Sequence, residues 1–408
     1  MPDGEGWRAA QRKNLGAAGA KATGKSPASA GFGGVMHDQS ENAAHIHMDA
    51  MRTLLAVAVA FGHIWALLIR DYQPTANIAV NFLYFAAGFG HSSVILFFVL
   101  SGYWITRSVV ARTRTGWSWR AYLSDRLVRL LLVLVPALAL TGVFDGIAIL
   151  LLDSPTHRGA TGTYVVARDI RSDLTLEVLV GNLFFLQEVL VRPFGSNGPL
   201  WSIAFEFWYY LWFPALWLLV SGRRVSLALV TLAIGLLNPE LPMGFVSWLC
   251  GALLVFADRY LSERSSRQLP GGSRATGAAA LLFLATLLWA RSGDYRLEDP
   301  ALAAMFALFL LAMLQHPPRI PGPVNALARY GASASFSLYA THFPLMALCT
   351  ALIITTDRIA PSVGAILLAL AILAFSIGFG WVFASGTEKH TMIARRHIRR
   401  LMGIGGRR

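Results

Sequence analysis

Apolar residues along this chain gather in long blocks and do not alternate with polar ones. The blocks lie at 50–70, 91–110, 127–152, 199–221, 225–238, 243–257, 276–291, 300–315, 335–356 and 363–385. A helix crosses a bilayer in about 20 apolar residues, and most of these blocks come close to that length. Two short ones, 225–238 and 243–257, are joined by NPELP, a turn signal that makes them a helical hairpin. An eleventh segment, 174–190, is short and carries Glu177, Asn182, Gln187 and Glu188.

Charge decides whether that segment crosses. If it does not, 27 of the 35 Lys and Arg lie on one side of the membrane, together with both termini; if it does, 15 of them move to the other side. Basic residues concentrate in cytoplasmic loops. The pattern therefore predicts an all-α polytopic membrane helix bundle of ten transmembrane helices, N-in/C-in. Residues 153–198 become one long outer loop holding a half-buried helix at 174–190, and loops of that length are usually functional. A cysteine placed at Ser265 is expected to be shielded from an impermeant thiol reagent, and one at Thr163 to react.

Composition narrows the class. Of 408 residues, 55% are apolar and 14% charged, with a mean hydropathy of +0.53. Soluble domains carry nearer a quarter charged residues, so an ordinary cytosolic enzyme, a disordered chain and a barrel of short alternating strands are excluded. The net charge of +13 would suggest nucleic acid in a soluble chain. In this chain it reports membrane sidedness, and no nucleic-acid partner is expected. Cys250 and Cys349 lie inside apolar blocks and form no framework. Residues 1–49, rich in Gly, Ala and Ser, read as a mobile cytoplasmic tail, 50–385 as the transmembrane domain and 386–408 as a basic cytoplasmic tail.

Ionisable side chains at membrane depth are costly, so each is a candidate for function. In the first span, Arg52 and His63 are eleven residues apart, three helical turns and about 16 Å, which puts both on one face. Arg126 and Arg129 are neighbours on one helix face at the arginine-rich surface. A plain positive-inside girdle explains many such arginines, but guanidinium forks also match phosphate oxygens. Glu206 enters the fourth span among Trp201, Phe205, Phe207, Trp208, Tyr209 and Tyr210, with Ser202 one turn before it. Ser101-Gly102 interrupts the second span and allows close approach of a backbone or a ligand. In the ninth, His342 precedes Pro344, with Ser337 and Tyr339 nearby. Asp145 stands alone in the third and receives no role. His45 and His47 are a weak pair, no cluster of metal ligands is apparent, and hydrolase, metalloprotease and P-loop motifs are lacking.

Five segments in order resemble the acyltransferase 3 family, bacterial integral-membrane enzymes that acylate sugars. They are Arg52-x10-His63, FFVLSGYWI, RLVR, LWSIAFEFWYY (similar to the family's LWSLSVEEQFY) and SFSLYATHFPL (similar to its SYSLYLWHFP). Two positions depart from the family pattern: Phe207 replaces a frequent second acid, and Thr341 stands where Trp is common. The resemblance implies transfer of an acyl group, usually acetyl, from cytoplasmic acyl-CoA to a hydroxyl of a glycan or glycosylated lipid at the outer face of the bacterial cytoplasmic membrane. The products of such enzymes include O-acetylated lipopolysaccharide and exopolysaccharide.

On that reading Arg52, Arg126 and Arg129 hold the phosphates of acetyl-CoA. His63 acts as base or transient acyl carrier, and Glu206 orients His63 or binds sugar. Ser101, Trp201, Ser202, Tyr209, Tyr339 and His342 serve the substrates. Two alternatives stand beside it. One is a transporter or flippase without catalysis, although no internal repeat is seen between 50–221 and 225–385. The other is an acyltransferase for a cytoplasmic macrolide sugar.

Overall fold

The computed structural model describes residues 29–222, 233, 235–263, 272–291, 297–318 and 321–403, with side chains from His45 onward. Its helices are α1 (Ser29–Leu68), α2 (Ile78–Ala87), α3 (Gly90–Thr115), α4 (Trp119–Leu150), α5 (Leu176–Leu183), α6 (Trp201–Val220) and α7 (Glu240–Glu263). They continue as α8 (Ser273–Trp289), α9 (Glu298–Gln315), α10 (Gly322–Ala332), α11 (Ser335–Ala351), α12 (Val363–Gly386) and α13 (Thr391–Leu401).

Among the described residues, seven helical stretches are long and apolar enough to cross a membrane: His45–Leu68, Ile78–Thr115, Trp119–Leu150, Gly198–Val220, Glu240–Glu263, Glu298–Gln315 and Val363–Leu401. The protein is a multi-pass helical membrane bundle. Ten spans exceed this count by three. Helices α8 and α11 have 17 residues each, and most of the 225–238 block lies outside the described residues, as does Ser265. The 174–190 segment holds only the eight-residue α5, about 12 Å long and too short to cross. Helix α1 starts at Ser29, inside the segment that reads as a tail, and α13 folds within the basic C-terminal stretch.

Close helix packing explains the small residues. Helices α3 and α7 meet at Gly102 and Gly251, where an added Cβ would collide with the Trp248 and Val99 carbonyl oxygens respectively. The partner that Ser101-Gly102 admits is thus a backbone. Pro344 inside α11 cannot donate to the carbonyl four residues back. That carbonyl, Ala340 O, accepts instead from Asn197 Nδ2 at 3.0 Å, and the same amide reaches Thr141 Oγ1 at 3.0 Å. One buried Asn therefore seals the kink and ties the segment entering α6 to α4 and α11.

Two further clasps hold the long loop. Buried Asp145 accepts from Ser196 N and Ser196 Oγ, both at 2.7 Å, and lies 3.3 Å from His157 Nε2. This gives the isolated acid of the sequence a structural role. Arg358, only 6% exposed, donates to the Thr161, Ile69 and Gly162 carbonyls and forks onto Asp71 at 2.7 and 2.6 Å. Thr163 is fully buried, its hydroxyl donating to Ala66 O at 2.7 Å. The exposed Ala167 is therefore the better site for a thiol probe.

Pairing with Arg358 holds Asp71 below the ordinary carboxylate range. That contribution to stability is complete above the unfolded-state pKa of about 4 and is lost as pH falls through the lower folded value. Replacing Arg358 by Ala leaves several carbonyls without a donor, and a loss of roughly 2–4 kcal/mol is expected. Thermal unfolding in detergent reads this as a lowered melting temperature. Arg358→Lys should not restore it, because an ammonium cannot form the fork.

Candidate functional site

Two cavities open within the bundle and share a wall. The first, about 360 Å3, is lined by Arg52, Arg126, Arg129, Ser101, Ser202, Glu206 and Tyr210 among others. The second, about 460 Å3, is lined by His63, Trp201, Tyr84, His91, Arg70, Arg291 and Arg358 among others. Val94 and Tyr339 line both. The Tyr339 hydroxyl lies 2.6 Å from Ser202 Oγ and donates to Pro199 O at 3.0 Å. Arg52 and His63 thus share a helix but face different cavities, one on each side of this partition.

His63 contacts a second histidine. Its Nδ1 lies 2.8 Å from His342 Nε2, and the rings stack at 5.1 Å. The tautomers follow from the partners. His342 Nδ1 faces Leu338 O at 3.1 Å and Tyr339 O at 2.9 Å, and carbonyl oxygens only accept. The proton of neutral His342 therefore sits on Nδ1, its Nε2 accepts, and His63 must donate from Nδ1. Neutral His63 is left with an unprotonated Nε2, the nitrogen that takes up a proton. Fully buried His342 touches neither cavity directly. It acts on the site through His63.

Glu206 lies on the arginine side. Its Oε1 accepts from Ser101 Oγ at 2.7 Å and from the Tyr210 hydroxyl, while Trp248 Nε1 donates to Ser101 Oγ at 3.3 Å. Its partners are thus hydroxyls, and His63 is not among them. Arg126 donates to Ser108 Oγ at 2.8 Å and lies over the Tyr122 and Tyr210 rings at 5.5 and 5.7 Å. Arg52 is 3.9 Å from Asp49. The first cavity is therefore cationic along one wall and apolar along the other, with Val94, Phe97, Phe98 and Ile105. Such a lining suits a long ligand with an anionic head and an apolar or amide arm.

Of the other sequence candidates, Trp201 lines the second cavity and Ser202 the first. Tyr209 lines neither. It is fully buried, its hydroxyl donating to Leu241 O at 2.8 Å, and it packs against Phe245 and Trp248. His45 joins the first cavity beside Trp104, whereas His47 contacts Pro318 O at 2.8 Å. Ser154, His157 and Asp145 make a serine–histidine–acid chain, with Ser154 Oγ 2.9 Å from His157 Nδ1. Each is at most 1% exposed and none lines these cavities, so the chain is a clasp and not a nucleophile. Tyr84, His91, Arg70 and Arg291 in the second cavity were not singled out from sequence, because each sits at a span end where aromatic and basic residues are routine.

The model of the Acyl_transf_3 family, described as an acyltransferase domain, matches residues 45–385. The chain belongs to the acyltransferase 3 family. No curated protein and no solved structure gives a significant match. The two departures from the family's motifs lie among packing residues in this acyltransferase. Phe207 stacks on Phe185 at 4.3 Å, and Thr341 Oγ1 donates back to Ser337 O at 2.8 Å. Neither lines a cavity described above.

Tyr209→Phe separates packing from binding in this membrane acyltransferase. Losing one buried hydrogen bond is expected to cost about 1 kcal/mol of stability. Substrate KM should stay unchanged, with unfolding and steady-state kinetics as the paired measurements.

Proposed function

We propose that this acyltransferase moves an acetyl group from acetyl-CoA to a hydroxyl of a glycan or glycosylated lipid, in the bacterial cytoplasmic membrane. The observation that carries the reading is the pair of cavities meeting at Tyr339 and Val94, one lined by the His63 imidazole and the other by Arg52, Arg126, Arg129 and a long apolar wall. Arg52, Arg126 and Arg129 hold the phosphates of the donor, and its pantetheine arm runs along the apolar wall towards Tyr339. The acceptor enters the second cavity, where Trp201 and Tyr84 offer flat apolar faces for sugar rings. The donor side is cytoplasmic if the basic loops are, and the acceptor side is then outer.

The chemistry follows from the tautomers. His63 Nε2 removes the proton from the acceptor hydroxyl as its oxygen attacks the thioester carbon. The new C–O bond forms, the C–S bond breaks, and the proton passes on to the thiolate, giving the O-acetyl sugar and free CoA. His342 fixes the ring and accepts from Nδ1–H, a contact that strengthens as His63 becomes charged. The Ser202 hydroxyl lies at the partition and turns to the thioester oxygen as it gains negative charge, while Tyr339, its proton held by Pro199 O, positions it. Glu206, with Ser101 and Tyr210, shapes the donor side.

Purified protein in detergent with labelled acetyl-CoA and a panel of glycan acceptors tests this. The wild type is expected to label an acceptor and His63→Ala to lose that labelling; equal labelling by both removes His63 from the mechanism. His342→Phe removes the acceptor of the Nδ1 proton and frees the tautomer. Its kcat is expected to fall about 10²-fold with little change in donor KM. An unchanged kcat would mean that His342 only fills space.

A further inference from the structure

The C-terminal helix α13 is strongly basic, with Arg395, Arg396, Arg399 and Arg400 in eleven residues. It packs on α4, the helix that carries Arg126 and Arg129. Asp125 fixes the register. Its Oδ1 accepts from Arg399 Nε at 2.8 Å and its Oδ2 from Arg112 at 2.6 Å, with a second contact from Arg399. Both carboxylate oxygens are thereby engaged. Arg395 lies one turn before Arg399, and Arg129 one turn after Asp125 on the helix against which α13 packs. The charges that act most on Arg395 are those of Arg129, Asp125, Arg126 and Arg112.

Guanidinium groups do not converge without a reason. Among the described residues, the Nε atoms of Arg126 and Arg395 are both buried and have no hydrogen-bond partner. A buried donor left unpaired costs about 1–3 kcal/mol, and nearby like charges add to that. An anion with several acceptor oxygens relieves both costs, and phosphate fits guanidinium forks best. The coenzyme presents two separate anionic groups, a pyrophosphate and a ribose 3′-phosphate. Arg52, Arg126 and Arg129 line the cavity itself, whereas Arg395 stands beyond that lining.

We propose that Arg395, on α13, completes with Arg126 and Arg129 a second phosphate subsite at the mouth of the arginine cavity, which takes the ribose 3′-phosphate of the donor. The proposal rests on the reading of the donor as a coenzyme A thioester. It makes the C-terminal helix part of the donor site, held in place by the Arg399–Asp125 pair.

Equilibrium binding of coenzyme A and of 3′-dephospho-coenzyme A to the full-length protein in detergent separates the two ideas. The wild type should bind coenzyme A about tenfold more tightly than the dephospho form, the effect of one partly exposed charge-assisted contact. Arg395→Gln should bind both with the weaker affinity, while Arg396→Gln, altered at an exposed site on the same helix, keeps the preference. If the wild type binds both ligands equally, or Arg395→Gln weakens both alike, the subsite is overturned and the donor reading stands. A wild type that binds neither overturns both.

Discussion

A histidine held within a helix bundle must find protein partners for its ring nitrogens, and His63 finds one in another histidine. The 2.8 Å contact from His63 Nδ1 to His342 Nε2 is possible in the neutral state only because backbone carbonyls hold the His342 proton on Nδ1. Those carbonyls belong to α11, whose Pro344 kink is sealed by Asn197. Asn197 is in turn placed by the end of the long loop, which Asp145 and Ser196 pin to α4. The tautomer of His63 therefore depends on a chain of buried polar contacts through three segments distant in sequence.

The same economy of polar groups divides the interior. Both cavities hold guanidinium groups, but Glu206 and the long apolar wall belong to one, and His63 with the Trp201 and Tyr84 faces to the other. Val94 and the Tyr339–Ser202 pair stand between them.

Much of this was legible in the chain. Block lengths and the distribution of Lys and Arg announced a membrane bundle, and the family resemblance drawn from five motifs agrees with the match over residues 45–385. Arg52, His63 and Glu206 were found because ionisable groups are conspicuous in apolar spans. Pairings were harder to read. Spacing placed Arg52 and His63 on one helical face, yet a partition supplied by α3 and α11 sends them to different cavities. Glu206 read as a partner for His63 or for sugar, but its partners are Tyr210, one turn away, and Ser101, whose contact across 105 residues leaves no periodic trace. Tyr209 shared an aromatic run with Trp201, and only packing distinguishes the buried ring from the one that lines a cavity. The pairings of His342 with His63 and of Asn197 with Ala340 span 279 and 143 residues, beyond the reach of any local pattern.

The most direct test is an experimental structure of the protein with a non-hydrolysable acetyl-CoA analogue. The account predicts phosphates among Arg52, Arg126 and Arg129, with the acyl end at Tyr339 and within reach of His63 Nε2. An analogue seated in the His63 cavity with its phosphates on Arg70 and Arg291, or one whose acyl end stops against a closed Tyr339 far from His63, would contradict it.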